Sequence, residues 1–133
     1  MAKELSDVFA ANKDFERRIS NLSIDVIYDT EFDILMLRFG ESREAITEEL
    51  YDGLQLRVDP ETLEILAFEV LGFRRRFLRR HPEYIRLCDL LFGDDEIIRR
   101  RFKPDTGARK KAEDAVDSLL PFSLGGLTPR PAG

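Results

Sequence analysis

The chain has little of what most catalytic and metal chemistry is built from. Its 133 residues contain one cysteine (Cys88), one histidine (His81) and no tryptophan. A lone cysteine excludes an internal disulfide. Neither residue belongs to a CxxC or HxxxH spacing, so no zinc set is formed. On a continuous helix the seven positions between His81 and Cys88 would be two turns, about 10 Å, too far for a nucleophile–base pair. Cys88 falls on an apolar stripe with Ile85, Leu91 and Phe92, as a packed thiol does. His81 precedes Pro82, the place of a helix-start residue rather than of a base. There is no GxSxG, no P-loop and no GxGxxG; Gly125-Gly126 lies in a proline-rich tail. Hydrolase, kinase and dehydrogenase readings therefore lack a carrier, and no catalytic, metal-binding or cofactor-binding residue is expected.

No run reaches the roughly 18 apolar residues of a membrane span. The opening MAKELSDVF is charged and lacks a signal peptide's apolar stretch. The expectation is a cytoplasmic protein with no membrane partner. Apolar residues make up 43% of the chain, including ten Phe, enough for one modest core. Charged residues make up 35%, and they are segregated. Residues 1–72 hold 7 Lys/Arg against 17 Asp/Glu, net −10; residues 73–133 hold 14 against 9, net +5.

Local pattern divides the chain into four segments. Over residues 1–22, Leu5, Val8, Phe9, Phe15, Ile19 and Leu22 recur at helical spacing, with Asn12 as the one polar intruder. Residues 23–72 carry period-two segments: SIDVIYD, DILMLRFG, REAITEELYDG, LQLRVD and EILAFEVLGF. Each is bounded by a turn signal such as Asp52-Gly53 or Asp59-Pro60-Glu61. Short connections favour antiparallel neighbours. The second and last strands are apolar on both faces, one face for the N-terminal helix and the other for C-terminal helices or a second subunit. Residues 73–103 form a basic helical region with Pro82 opening one helix, Gly93 ending it and Asp94-Asp95-Glu96 starting another. Residues 104–133 read as a mobile tail with one weak helix in KKAEDAVDSLL. The fold class is α+β: an N-terminal helix, a four- or five-stranded antiparallel meander, then basic helices.

Two features invite a functional reading. YDTEFD, residues 28–33, places carboxylates at alternate positions. Counted from Asp29, however, the sixth position of a calcium loop is Ile34 and the twelfth is Gly40, where Gly and Glu are required. A hairpin turn with Asp side chains capping backbone N–H groups is the better account. Asp29 and Asp33, with Glu69, stay as a minor candidate polar site. The arginines are the stronger anomaly. Between Phe73 and Lys111 there are 13 Lys/Arg and 6 Asp/Glu, net +7. Arg74, Arg75, Arg76, Arg79 and Arg80 on one helix, and Arg99, Arg100 and Arg101 at the end of another, are candidate anion- or partner-binding residues. Guanidinium groups bind phosphates bidentately. The competing account is pairing with the chain's own acidic sheet, within a subunit or across a dimer. A pI of about 5.0 favours that account, because acidic surface repels nucleic acid.

SIDVIYDTEFDILMLRFG followed by YDGLQLRVDPETLEILAFEVLG resembles the YuzE-like small β-sheet family, a family of unknown function. Its pattern is a Tyr-Asp turn, then Asp-Ala-Leu-Tyr-Ile-Arg-Leu, then Gly-x-x-x-Gly-Ile-Glu-Ile-Leu. Tyr28, Asp29, Asp33, Leu35, Arg38, Glu69 and Leu71 match, whereas Leu63 and Ala67 stand at the two glycines. The resemblance covers about residues 23–72. It implies an antiparallel sheet with helical cover, no catalytic residues, and in some members partnership with RelE-like ribonuclease toxins. The sequence thus reads as a non-enzymatic macromolecular-interaction module that forms a homo-oligomer, a dimer first of all, and has a protein partner. One alternative is an antitoxin-like regulator binding DNA or a RelE-like toxin. Another is a small-ligand or metal-binding protein using the sheet-edge carboxylates.

Overall fold

The computed structural model describes residues 5–51, 53–86 and 99–123. Helices and an antiparallel sheet give an α+β protein. Strands β1 (Ile24–Asp29), β2 (Ile34–Phe39), β3 (Ile46–Tyr51), β4 (Leu54–Val58), β5 (Ile65–Leu71) and β6 (Arg99–Phe102) form one sheet in the order β3-β4-β5-β2-β1-β6. Every pairing is antiparallel.

This corrects the expected four- or five-stranded meander in two ways. A sixth strand comes from the basic segment, and β5 inserts beside β2 while β3 moves to the far edge. Burial explains the order. β5 is buried at six of its seven positions, and β2 has apolar residues on both faces, so both suit the centre. β3, with Thr47-Glu48-Glu49, has least to bury and takes an edge. The β3–β4 hairpin turns at Gly53, whose φ of +83° few other residues adopt. A Cβ there would stand 3.1 Å from the Leu71 carbonyl oxygen.

One helix was expected over residues 1–22; the described part is two, α1 (Leu5–Ala11) and α2 (Phe15–Ile19). The break falls at Asn12, whose buried side chain bonds to the sheet hairpin instead of facing water. Its Nδ2 donates to the carbonyls of Val8 (2.7 Å) and Leu63 (2.9 Å). Its Oδ1 accepts from the Ile65 N–H (2.9 Å) and the Arg18 guanidinium (2.8 Å). The polar intruder is a bracket between helix and sheet.

The Phe73–Phe77 stretch is a π-helical turn that runs into a short helix, α3 (Leu78–Arg80). A 3-10 turn, Pro82–Ile85, follows. The expected helix through Cys88, Leu91 and Phe92, the Gly93 stop and the Asp94-Asp95-Glu96 start lie outside the described residues, as do residues 124–133. The tail segment contains a full helix, α4 (Arg109–Ser123). Its stripe of Ala112, Ala115, Val116 and Leu119 is buried in the same core as Val8, Phe15 and Ile19. Both helical layers therefore share one sheet face, where two faces had been expected to divide them. Phe15, Phe39 and Phe68 form the aromatic centre, with ring centroids 5.3–5.8 Å apart. Arg109, only 3% exposed, fastens the start of α4. It donates to the carbonyls of Leu22, Ile19 (2.8 Å) and Phe102 (3.4 Å), tying α2, the following loop and β6 together.

Candidate functional site

YDTEFD is the β1–β2 hairpin connection, and each carboxylate in it has a distinct place. Asp29 accepts backbone N–H bonds from Glu31 (2.9 Å) and Phe32 (3.0 Å), the turn-capping geometry of an Asx turn. Glu31 is exposed. Asp33, at φ +57°, is buried and points along the sheet end to the chain that follows β5. Its Oδ1 accepts from the Tyr28 hydroxyl (2.5 Å) and the Arg74 N–H (2.9 Å), and its Oδ2 from the Arg75 N–H (2.9 Å). Burial pushes the Asp33 carboxyl up. Hydrogen bonds from Tyr28, Arg74 and Arg75 outweigh this and hold it below the usual carboxylate range. Burial first, then Asp33, pushes the Tyr28 phenol up to about 12.

Asp33 thereby caps the arginine-bearing arm. The arm leaves β5 at Gly72, whose φ is +64° and where a Cβ would meet the Arg76 Cβ at 3.2 Å. Both the Arg76 and Phe77 N–H groups return to the Gly72 carbonyl at 2.8 Å. Phe73 and Phe77 are the anchors: both are buried, with stacked rings 6.3 Å apart, and Phe73 also meets the Tyr28 ring edge-on. Between and beyond the anchors, Arg74, Arg75, Arg76, Arg79 and Arg80 are all exposed. The Arg74 guanidinium lies over the Tyr28 ring at 4.9 Å. Five guanidinium groups are thus displayed on eight residues at one end of the sheet.

Arg99, Arg100 and Arg101 have a different fate. They lie on strand β6, not at the end of a helix. The physical reason is charge pairing with β1. Strand alternation sends Arg99 and Arg101 to the face opposite the helices, beside Asp25. Asp25, 0% exposed, accepts from Arg101 Nε (2.8 Å) and Nη2 (2.9 Å) and from Arg38 Nη2 (2.7 Å), with Arg99 at 3.7 Å. Arg101 first, then Arg38, draws the Asp25 carboxyl below its ordinary range against the opposing effect of burial. Arg100 points to the other face, its guanidinium 4.5 Å over the Phe102 ring. Arg99 and Arg101 are therefore drawn to a carboxylate of the chain itself.

Glu69 lies on the face of Asp25 and pairs with Arg57 at 3.0 Å. Asp29, Asp33 and Glu69 do not converge: β2 separates Asp29 from Glu69 by two strand spacings, about 10 Å, and Asp33 is committed to the arm. Between Arg38 and Arg57, the small Ala67 leaves a shallow cavity of about 130 Å³, rimmed also by Arg43. Carboxylates already hold all three guanidiniums, Asp25 for Arg38, Glu69 for Arg57, and Asp59 with Glu64 for Arg43. Among the described residues no three His, Cys, Asp or Glu side chains gather as a metal set, and no helix is long and apolar enough to cross a membrane.

Sequence reasoning missed Asp25 and Arg109 as organising residues. Asp25 had one signal, a lone carboxylate inside the apolar run SIDVIY. Arg109 had none, because its partners come from three other segments. No family model matches the chain, and no curated protein or solved structure matches it either.

Proposed function

We propose that the protein is a non-enzymatic macromolecular-interaction module that grips an acidic protein surface with the arm Phe73–Arg80. One observation carries this reading: five exposed arginines are mounted on a segment that buried Phe73 and Phe77 and the Asp33 carboxylate hold in place. A backbone fixed in advance lowers the ordering cost of docking, and an arginine cluster brings bidentate donors to carboxylates. An acidic protein is favoured over nucleic acid for two reasons. The rest of the chain is strongly acidic, so a long polyanion running past the arm meets repulsion. In addition, Asp25 holds Arg101 through two hydrogen bonds, which removes it from an extended phosphate-binding track. The candidate carboxylates serve turns and ion pairs, which supports a role without catalysis.

The test uses the full chain, an immobilised poly-glutamate peptide and a mixed-sequence DNA duplex. The wild type is retained on the peptide at low salt, and Arg75→Glu with Arg79→Glu abolishes retention while unfolding stability shifts by less than about 0.5 kcal/mol, as for exposed sites. Unchanged peptide retention in that variant sinks the proposal. Stronger retention on DNA, with a log–log salt slope of several units, would replace it with the DNA-binding reading.

A further inference from the structure

The sheet ends in two strands of opposite charge. β3 begins Ile46-Thr47-Glu48-Glu49 and β6 reads Arg99-Arg100-Arg101-Phe102. Among the described residues, neither has a strand on its outer side. Charged edges ordinarily deter sheet-to-sheet association. Here like charge deters β3 from β3 and β6 from β6, whereas β3 and β6 carry opposite charge.

The topology makes such pairing geometrically direct. Five antiparallel pairings separate the two edges, so β3 and β6 run in opposite directions. A second copy in the same orientation therefore lays its β6 antiparallel to the first copy's β3, with both helix-bearing faces on the same side of the sheet. The cross-strand rows fix the register. One row runs Glu48, Leu56, Phe68, Leu37, Val26, Arg100. The rows on either side of it begin at Thr47 and Glu49 and end at Arg101 and Arg99. Adding a copy without stagger places Glu48 opposite Arg100, Glu49 opposite Arg99, and Ile46 opposite Phe102. Each of these is a favourable pair, two ionic and one apolar. A shift of one residue would put Glu48 on the wrong face for Arg100. Ile46 is 37% exposed, an apolar edge residue that the neighbour would cover.

We infer that the occupant of each edge is a second copy of this chain, joined β3 to β6 in that register. The contact is heterologous, so each copy keeps one edge free and assembly is open-ended rather than limited to a dimer. Sheet twist of roughly 20–25° per strand turns successive copies by about 120–150°, which carries their helical faces away from one another. The contact does not involve Arg74–Arg80, so it stands whether or not the arm binds an acidic protein.

Light scattering over a concentration series tests it. Wild-type mass rises continuously with concentration, whereas Glu48→Arg and Arg100→Glu each stay monomeric alone. An equimolar mixture of the two regains association, because each mutant edge finds its complement. As a check that needs no variant, hydrogen exchange of the wild type slows at high concentration in Ile46–Glu49 and Arg99–Phe102 while the central strands are unchanged. A wild type that stays monomeric, a fixed dimer indifferent to both substitutions, or a mixture that stays monomeric overturns the inference.

Discussion

Replacing Asp33 by Asn cuts the arm at its root without touching an arginine. Asn tolerates the left-handed backbone that Asp33 adopts at φ +57°, so backbone strain stays as it is. Its one oxygen can still accept from the Tyr28 hydroxyl and the Arg74 N–H, but its amide turns a donor toward the Arg75 N–H, which loses its acceptor. An N–H left unsatisfied costs about 1–3 kcal/mol, and removing the charge from the two remaining bonds costs up to about 1 kcal/mol each. Partial exposure of the arm lets water relieve some of this, so the expected loss is about 2–4 kcal/mol out of a typical 5–15. Urea unfolding followed by circular dichroism reads it as a lower midpoint at constant slope. The Asp33 carboxyl is held below its ordinary value, so its stabilisation is full above about pH 4 and fades as pH falls through the depressed value. Wild type and Asp33→Asn therefore converge in stability below pH 4. Tyr28→Phe shares the same carboxylate, so the double variant loses less than the sum of the singles by at least about 0.5 kcal/mol. A loss under about 0.5 kcal/mol at pH 7, or strict additivity with Tyr28→Phe, refutes the capping role.

Two further outcomes follow from buried polar groups. Asp25→Ala leaves Arg38 and Arg101 facing each other without their shared carboxylate and costs about 2–4 kcal/mol. Because the Asp25 carboxyl is also depressed, its contribution acts above about pH 4 and is lost below it; urea midpoints of the variant that track those of the wild type at pH 7 would rule the cluster out as a stabilising element. Asn12→Ala strands the Ile65 N–H and the Leu63 carbonyl inside the protein and costs about 2–4 kcal/mol in the same assay; a change of under 1 kcal/mol would mean that the Asn12 bracket does not hold helix to sheet.

What the sequence disclosed was local. Period-two alternation and turn residues located β1 to β5, and the failed calcium spacing of YDTEFD correctly left a hairpin. Strand order was not local. The rule that successive strands pair holds for about two-thirds of cases; it fails between β2 and β3, where the stretch from Gly40 to Ala45 carries β3 to the far edge, and again between β5 and β6, which pairs with β1. The two-sided apolar pattern of β2 and β5 was legible but was read as a need for cover on both faces, not as a sign of the central places that they take. β6 was hidden because Arg-Arg-Arg-Phe has weak strand character of its own. It is held by Asp25, 76 positions away. At the candidate site, Arg74–Arg80 were legible as an exposed basic segment, but the Asp33 cap was not: it joins residues 41 and 42 positions apart.

β1 stands between an early neighbour and a late one. Its pairing with β2 closes across a few residues, whereas its pairing with β6 must wait for residues 99–102. During synthesis the first five strands leave the ribosome well before the sixth, and the stripe of α4 that completes the core emerges later still. A chain that ends near residue 72 would hold three hairpins, β1–β2, β3–β4 and β4–β5, with an open strand edge at β1 and uncovered core surface where α4 belongs. Such surfaces are what chaperones bind and what aggregates share. Translation therefore has to run to α4 before the core of this protein has all of its buried residues.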